Sequence, residues 1–296
     1  MNKLLATLSL VFFLLVVYYP GYVFSHTPDK IAEREFYVAK SMFNDQLYEL
    51  AANQFRDFLR KYKSNHLAEE AQFLLSECYF HTQDWARALA GYKELLSAYP
   101  AVGFRDKAQF RIGETLVHAE RYDEALEALT TFSERYKTSP LRLNATYWYG
   151  EALYRSGRRN AALEYYAQVY KEQPQGPLAD YAFYSAAYIY EEMRKYDEAM
   201  QAYQKLIELH PASPLVENAS FRLGFVAYGQ NDYSNAVSYL SNALQKYPES
   251  SFRGEAQYFI GESFYKQGDL TRAIRAYEVI AAQSGHEFAD DAQYSM

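Results

Sequence analysis

Apolar and polar positions alternate along the chain with the period of an amphipathic helix, and the whole pattern then repeats. From Ala256 the chain reads AQYFIGESFYKQGDLTRAIRAY. Ala256, Phe259, Ile260, Ser263 and Phe264 fall at the i, i+3, i+4 intervals of one helix face. Leu270, Ala273, Ile274 and Tyr277 mark the face of a second helix, and Gln267-Gly268-Asp269 between them predicts a tight turn. The segments AQFRIGETLVHAERYDEALEAL from Ala108 and ATYWYGEALYRSGRRNAALEYY from Ala145 carry the same design. A small residue stands at Ala39, Ser76, Gly113, Gly150, Ala187, Gly224 and Gly261, every 37 residues and with no insertion. Twelve positions after each comes an alanine: Ala51, Ala88, Ala125, Ala162, Ala199, Ala236 and Ala273. A third small register runs through Ala71, Ala108, Ala145, Ala182, Ala219 and Ala256. Three registers keeping one period predict seven helix pairs.

The small residues have a steric reason. Two helices approach closely only where little side chain intervenes, and a large one there costs about 1–3 kcal/mol in overpacking. On this pattern Gly261 and Ala273 are expected to face each other within their pair. The second helices are expected to stop at Tyr99-Pro100, Gln173-Pro174, His210-Pro211 and Tyr247-Pro248. Ser139-Pro140, Gly176-Pro177 and Ser213-Pro214 then read as N-cap plus first helical residue of the next pair. A single pair leaves an apolar flank open, so pairs are expected to stack in an uninterrupted array.

The ends differ from the repeats. Lys3 precedes sixteen uncharged residues (LLATLSLVFFLLVVYY), which Pro20-Gly21 interrupts before Val23-Phe24-Ser25. This is the order of a secretory signal peptide over residues 1–25, with cleavage after Ser25. The alternative is an uncleaved membrane anchor. Sixteen helical residues span about 24 Å, and extension to Phe24 nearly reaches the roughly 30 Å of a bilayer core. Either way the remainder is expected in the periplasm, free or held at the inner membrane, with membrane contact only through this segment. The array is expected over residues 29–289. Residues 290–296 (DDAQYSM) look like the opening of a further, truncated repeat.

Composition narrows the function. A 49% apolar fraction is that of a folded chain, and a net charge of -7 argues against a nucleic-acid surface. The single cysteine, Cys78, excludes an intrachain disulfide and any CxxC metal or redox motif. No GxxxxGK[ST], GxGxxG, HExxH or GxSxG motif occurs, so no enzyme activity and no cofactor are expected. The 31 Tyr and 19 Phe are the unusual entry in the composition, and they need either a large core or a long binding face.

The registers resemble the tetratricopeptide repeat (TPR), a 34-residue helix-turn-helix module. Gly113, Tyr122 and Ala125 fall at its small, aromatic and alanine positions, and Tyr48, Trp85, Tyr196 and Tyr233 fill the aromatic position elsewhere. Arg159 and Leu270 depart from it. The connections YPESSFRGEAQYFIGE and YPAVGFRDKAQFRIGE are similar to those of the bacterial cell-envelope subgroup, which includes BamD-like outer-membrane assembly proteins and Tol–Pal-associated TPR proteins. BamD's lipidation cysteine has no counterpart here. The resemblance implies an all-α fold, an α-solenoid wound as a right-handed superhelix, whose first helices line a concave groove. It also implies a scaffold or adaptor for a protein or peptide partner in envelope assembly. A scaffold facing glycan in polysaccharide export or peptidoglycan handling, and a regulatory segment of a longer enzyme, are the other readings.

Candidate partner-binding residues follow from the first-helix registers. Phe73, Phe110, Tyr147, Tyr184, Phe221 and Tyr258 stand three positions before the small residue, in a column that begins at Phe36. Tyr154 and Tyr228 stand one heptad later, and Tyr188 and Phe225 directly follow the small residue. Such rings can stack on a peptide or a sugar, or can simply join neighbouring helices. Glu77, Glu114, Glu151 and Glu262 share the register of Tyr188 and Phe225 and read as an acidic stripe for a basic segment, or as a solvated face. His81 and His118 sit 37 residues apart at equivalent positions, but two ligands alone make no metal site.

Overall fold

The computed structural model describes residues 28–99 and 103–281. The expected leader over residues 1–25 and the repeat opening over residues 290–296 lie outside the described residues. Among the described residues there are fourteen helices and no strand. They are α1 (Pro28–Asn44), α2 (Tyr48–Lys61), α3 (Ala68–His81), α4 (Trp85–Ala98), α5 (Arg105–His118), α6 (Tyr122–Arg135), α7 (Arg142–Arg155), α8 (Arg159–Glu172), α9 (Ala179–Glu192), α10 (Tyr196–Leu209), α11 (Val216–Gly229), α12 (Tyr233–Lys246), α13 (Arg253–Lys266) and α14 (Leu270–Ala281). They form seven helix pairs in two compact units: α1–α6, in the unit that ends at Arg135, and α7–α14, in the unit that begins at Tyr136. From α2 to α13 every helix has 14 residues, and turns of three residues alternate with connections of six, which gives the 37-residue period. Within each unit the second helix of one pair packs on the first helix of the next: α2 on α3, α4 on α5, α8 on α9, α10 on α11 and α12 on α13. No described helix is long and apolar enough to cross a membrane.

The three-residue turn is the same in all pairs. Its middle residue adopts the left-handed conformation, at Gln46, Gln83, Glu120, Gly157, Arg194, Asn231 and Gly268, with φ between 56° and 84°. Glycine, expected from Gly268, occupies this position in only two of the seven. Backbone hydrogen bonds close the helix end on either side of it. The Asp84 N–H donates to the Tyr79 carbonyl at 2.8 Å and the Gln83 N–H to Phe80 at 3.0 Å, the two bonds of a Schellman motif. The following residue caps the second helix where it is aspartate: Asp84 accepts from the Arg87 N–H, and Asp232 from that of Asn235.

Two local expectations need correction. Ser139 and Ser213 do not cap helices. Their hydroxyls accept from the N–H groups of Leu141 and Leu215, two residues on, and hold a turn that ends before α7 and α11 begin. Nor does Gly261 face Ala273. A Cβ on Gly261 would meet the Tyr277 ring at 2.5 Å, one on Gly150 the Tyr166 ring at 2.8 Å, and one on Gly113 or Gly224 would run into the side chain of Leu129 or Leu240. The partner is a large residue sixteen positions on, lying flat in the space where a side chain would be. In the second pair the arrangement inverts. Ser76 takes the first-helix position, and a Cβ on Gly91 of the second helix would meet its Oγ. The alanine register, with Ala88, Ala125, Ala162, Ala199, Ala236 and Ala273, is buried throughout. Cys78 is free and fully buried, and burial pushes its thiol up to about 12, so it is an inert filler.

The close approach makes a measurable demand. Gly113→Ala is expected to cost about 1–3 kcal/mol, lowering the melting temperature by about 2–4 °C per kcal/mol. Trimming the facing side chain relieves the clash, so Gly113→Ala should cost clearly less in a Leu129→Ala background. A thermal double-mutant cycle measures this coupling, and additive effects would contradict the proposed contact.

Candidate functional site

The first helices carry every residue singled out for partner binding, and they sort by depth. The aromatic column lies deepest. Phe36, Phe110, Tyr147 and Phe221 are buried, while Phe73, Tyr184 and Tyr258 are half-buried. Each of six rings meets a ring of the second helix of its own pair: Phe36–Phe55 at 5.9 Å, Phe73–Tyr92 at 6.0 Å, Phe110–Phe132 at 6.2 Å, Tyr147–Tyr166 at 5.7 Å, Tyr184–Tyr203 at 5.5 Å and Tyr258–Tyr277 at 6.0 Å. These tilted and edge-on contacts are worth about 0.5–1.5 kcal/mol each beyond area burial. The column therefore joins the two helices of a pair. Phe221 instead contacts Tyr247 and Phe252 in the connection after α12.

The carboxylate row is also interior. Glu77, Glu114 and Glu151 are only 6–8% exposed, so they form neither a solvated face nor a stripe open to a basic segment. Their charges are compensated locally. The Tyr92 hydroxyl, from the second helix of the pair, donates to Glu77. The Tyr166 hydroxyl donates to Glu151 at 2.7 Å and the Tyr277 hydroxyl to Glu262 at 2.6 Å. All three tyrosines stand fifteen residues after their glutamate. A further donor comes from the next first helix, thirty-four residues on. Arg111 holds Glu77 through two nitrogens at 2.8 and 2.9 Å, and the Ser185 hydroxyl donates to Glu151 at 3.2 Å. Tyr147 and Arg155 complete the shell of Glu151, at 3.1 and 3.3 Å.

Where the pattern breaks, it is repaired. In α9 the row residue is Tyr188, and Glu191, one turn later, accepts from the Tyr203 hydroxyl at 3.1 Å and from Arg222 at 3.2 Å. In α11 the row residue is Phe225, and the opposing tyrosine is replaced by Leu240. Glu114 faces Leu129 in place of a tyrosine and depends on Arg111, at 2.6 Å. Burial, followed by the neighbouring carboxylates, raises the pKa of Tyr92, Tyr166, Tyr203 and Tyr277. Burial disfavours the charge of Arg111, but Glu77 and Glu114 outweigh it and hold the guanidinium above its ordinary value. For Glu114, burial outweighs Arg111 and raises the carboxyl.

What remains accessible is a shallower set of rings, best developed in the second unit. Tyr154 of α7, Tyr188 of α9, and Phe225 and Tyr228 of α11 are half-buried. Tyr154 meets Tyr188 edge-on at 6.5 Å, and Arg222 lies 5.6 Å over the Tyr188 ring. Phe225 and Tyr228 meet Phe259 of α13 at 5.4 and 4.8 Å. Four first helices thus contribute to an aromatic ladder of two ring sets, with the Arg222 guanidinium over Tyr188 between them. The hydroxyls of Tyr154 and Tyr228 reach Glu192 and Glu262, each at 3.5 Å. Phe259 was not among the sequence candidates. Its register also holds Tyr37 and Trp148, and that recurrence was the available signal.

In the first unit the accessible rings pair differently. Arg111 covers Phe80 at 4.6 Å. His81 stacks on Tyr48 at 4.4 Å, and His118 on Trp85 at 4.9 Å. Phe80 lies edge-on to both histidine rings, at 6.0 Å from His81 and 5.6 Å from His118, and no metal-binding group of three or more His, Cys, Asp or Glu residues exists among the described residues.

Comparison with known proteins agrees with this architecture. Tetratricopeptide repeat family models match residues 40–102, 110–177 and 219–287, and a second such model matches residues 181–213. A search of curated proteins returned no match. Among solved structures, the C-terminal part of a TPR repeat-containing protein from Cytophaga hutchinsonii is 19% identical, with a TM-score of 0.70 over 87% of this chain and 98% of that one. PilF of Pseudomonas aeruginosa is 18% identical, with a TM-score of 0.58 over 78% and 99%. PilW, described as a widely conserved type IV pilus biogenesis factor, is 18% identical, with a TM-score of 0.60 over 75% and 96%. At these identities the likeness is one of fold.

Two measurements probe the buried row. Glu77→Gln weakens the bonds to Arg111 and Tyr92 and leaves Arg111 short of charge, and is expected to cost about 3–5 kcal/mol. Glu114→Gln removes a carboxylate whose burial outweighs its attraction, so stability at neutral pH should change by less than about 1 kcal/mol or rise. Urea titration of both variants compares them, and equal losses would refute this division. The second measurement is alkaline unfolding. A tyrosine whose folded pKa is raised contributes stability that is full below its ordinary value of about 10 and is lost as pH rises through the folded one. For Tyr228 the folded value is about 12. The last phenolates to form, those of the buried tyrosines, should therefore appear together with loss of helical circular dichroism, well above about pH 10. Complete phenolate formation with the helices intact would contradict the buried hydrogen bonds.

Proposed function

The chain belongs to the tetratricopeptide repeat family, and on that premise we propose that it is a non-catalytic scaffold of the cell envelope that holds an extended segment of a partner protein. The observation that carries this reading is the aromatic ladder across α7, α9, α11 and α13. Rings held in edge-to-face contact lose little freedom on binding, so each can contribute contact area at low entropic cost. Spread over successive first helices, they suit a chain laid across the repeats better than a compact ligand. The carboxylates beside them are already neutralised from within, so recognition is expected to depend on ring contact and to respond weakly to salt.

The envelope setting rests on the apolar segment at residues 4–19 and on the connections that resemble the envelope subgroup. Export to the periplasm, with the segment cleaved or kept as an anchor at the inner membrane, is part of the proposal, as is a place in outer-membrane or envelope assembly. PilW, which shares the fold, is described as a type IV pilus biogenesis factor, and this supports an assembly role.

The test is capture in cells. A photo-crosslinking residue at Tyr188 is expected to trap a defined protein, identified by mass spectrometry. Tyr154→Ala combined with Tyr188→Ala should reduce that capture at least tenfold while lowering the melting temperature by only a few degrees, since both rings are partly open. Unchanged capture alongside a large loss of stability would make the ladder a packing device and overturn the reading. Co-purified glycan in place of a protein would favour the carbohydrate-facing alternative.

A further inference from the structure

The joints between repeats within a unit share a register. In the joints α2–α3 and α10–α11, a side chain four residues into the second helix packs in one cluster with a side chain of the next first helix, twenty-three residues on. Ala52 and Leu75 share one core cluster, and Met200 and Leu223 pack in another. On the first-helix side this register holds Leu75, Ile112 and Leu223, each 5–7% exposed. Val38 of α1 occupies the same register and is 46% exposed. On the second-helix side the register holds Ala52, Leu89 and Leu163, each 6–9% exposed. Ile274 of α14 occupies it and is 41% exposed. One half of the repeat joint is thus displayed on α1 and the complementary half on α14, both apolar and both solvent-facing.

The polar part of the joint is divided the same way. Inside the units, a donor on a first helix reaches the buried glutamate thirty-four residues before it, as Arg111 reaches Glu77 and Ser185 reaches Glu151. Tyr37 stands at that donor register on α1 and is 58% exposed. Glu262 stands at the acceptor register on α13, where it accepts from Tyr277 and Tyr228. A carboxylate has about four acceptor sites, so it has room for a further donor. Glu151 already takes hydroxyl bonds from three residues, Tyr147, Tyr166 and Ser185.

We infer that the face of α1 docks on the face of α14 of a second copy, with Val38 against Ile274 and the Tyr37 hydroxyl donating to Glu262. The occupant is a second copy because its exposed half-joint matches in both apolar register and hydrogen-bond polarity, as the internal joints do. The contact is heterologous: two different faces meet, and each copy keeps one of each free. It therefore builds head-to-tail chains or closed rings. This inference does not rest on the proposed partner of the aromatic ladder.

The test uses the full chain in mild detergent. Val38→Cys and Ile274→Cys are made separately, mixed at high dilution, concentrated and treated with a short bismaleimide. The native Cys78 is fully buried and stays silent. A covalent dimer forming in the mixture far above either variant alone, with a 38–274 link by mass spectrometry, is the expected result. Links only between like positions would mean a symmetric pairing of one face and would overturn the inference. Absence of any dimer would do the same. So would an internal link in an Ile274→Cys/Tyr294→Cys chain that outcompetes the intermolecular one, since the α14 face would then be covered by the chain's own end. As a second readout, Val38→Asp should weaken concentration-dependent self-association in light scattering at least tenfold. Because Val38 faces outward, helicity and melting temperature should stay the same. Self-association that survives Val38→Asp unchanged would count against the α1 face.

Discussion

The spacing of the two helices in a pair depends on the absence of a side chain at one position. At Gly113, Gly150, Gly224 and Gly261 a leucine or tyrosine of the second helix fills the place a Cβ would take. Close packing of this kind does not deform by degrees, because an interior at crystal-like density has no free volume to absorb a methyl group. The same kind of contact therefore sets the close approach in these four pairs. The three-residue turn is kept as well, even where its left-handed residue is Gln, Glu or Arg and carries a backbone cost. Equal pairs make equal joints, which is why the period survives without an insertion. The inversion at Ser76 and Gly91 supports this view, since smallness is needed at the crossing and either helix can supply it.

Close approach also accounts for the buried carboxylates. A glutamate next to the small residue is drawn into the pair, where desolvation would cost several kcal/mol if nothing answered it. The second helix answers with a tyrosine hydroxyl fifteen residues on, and the next first helix with Arg or Ser. The variations are coordinated: Tyr188 comes with Glu191 below it, and Phe225 comes with Leu240 opposite. Such a row adds modest net stability at best, because charge attraction is largely spent on desolvation. Its effect is on pairing. A helix packed one position out of step would leave a carboxylate and its tyrosine unpaired in an apolar interior, so the polar row penalises misregistered stacking.

The period, the helix pairs and the need for smallness were legible because each leaves a regular trace in residue type. The fate of the charged row was not. A glutamate recurring once per repeat on a helix reads as solvated, and only the tyrosine offset of fifteen residues hinted otherwise. The identity of the residue facing each glycine was equally hidden, because opposition across a helix crossing depends on crossing geometry and not on the nearest small residue in the sequence. Of the aromatic candidates, sequence could place Phe110 and Tyr154 on the same helix face but not at different depths. Three residues before the glycine a ring turns into its own pair, as Phe110 and Tyr147 do; one heptad later it lies at the edge, as Tyr154 and Tyr228 do. Phe259 escaped notice because its register is aromatic in some repeats and Arg or Ser in others.

That variable register is also where binding specificity can reside. The glycine, alanine and deep aromatic positions are committed to holding pairs together, so changing them to suit a ligand would cost the fold. The donor register is freer. It carries Arg111, Trp148, Ser185, Arg222 and Phe259 in successive first helices, and only some of these are needed to satisfy a glutamate. Where a row glutamate has lost its tyrosine and become Phe225, the next donor position is released and becomes Phe259, and the aromatic ladder gains a ring. The same substitution that removes a buried charge thus extends the apolar surface available to a partner, and the repeats can diverge in what they bind without altering the spacing that stacks them.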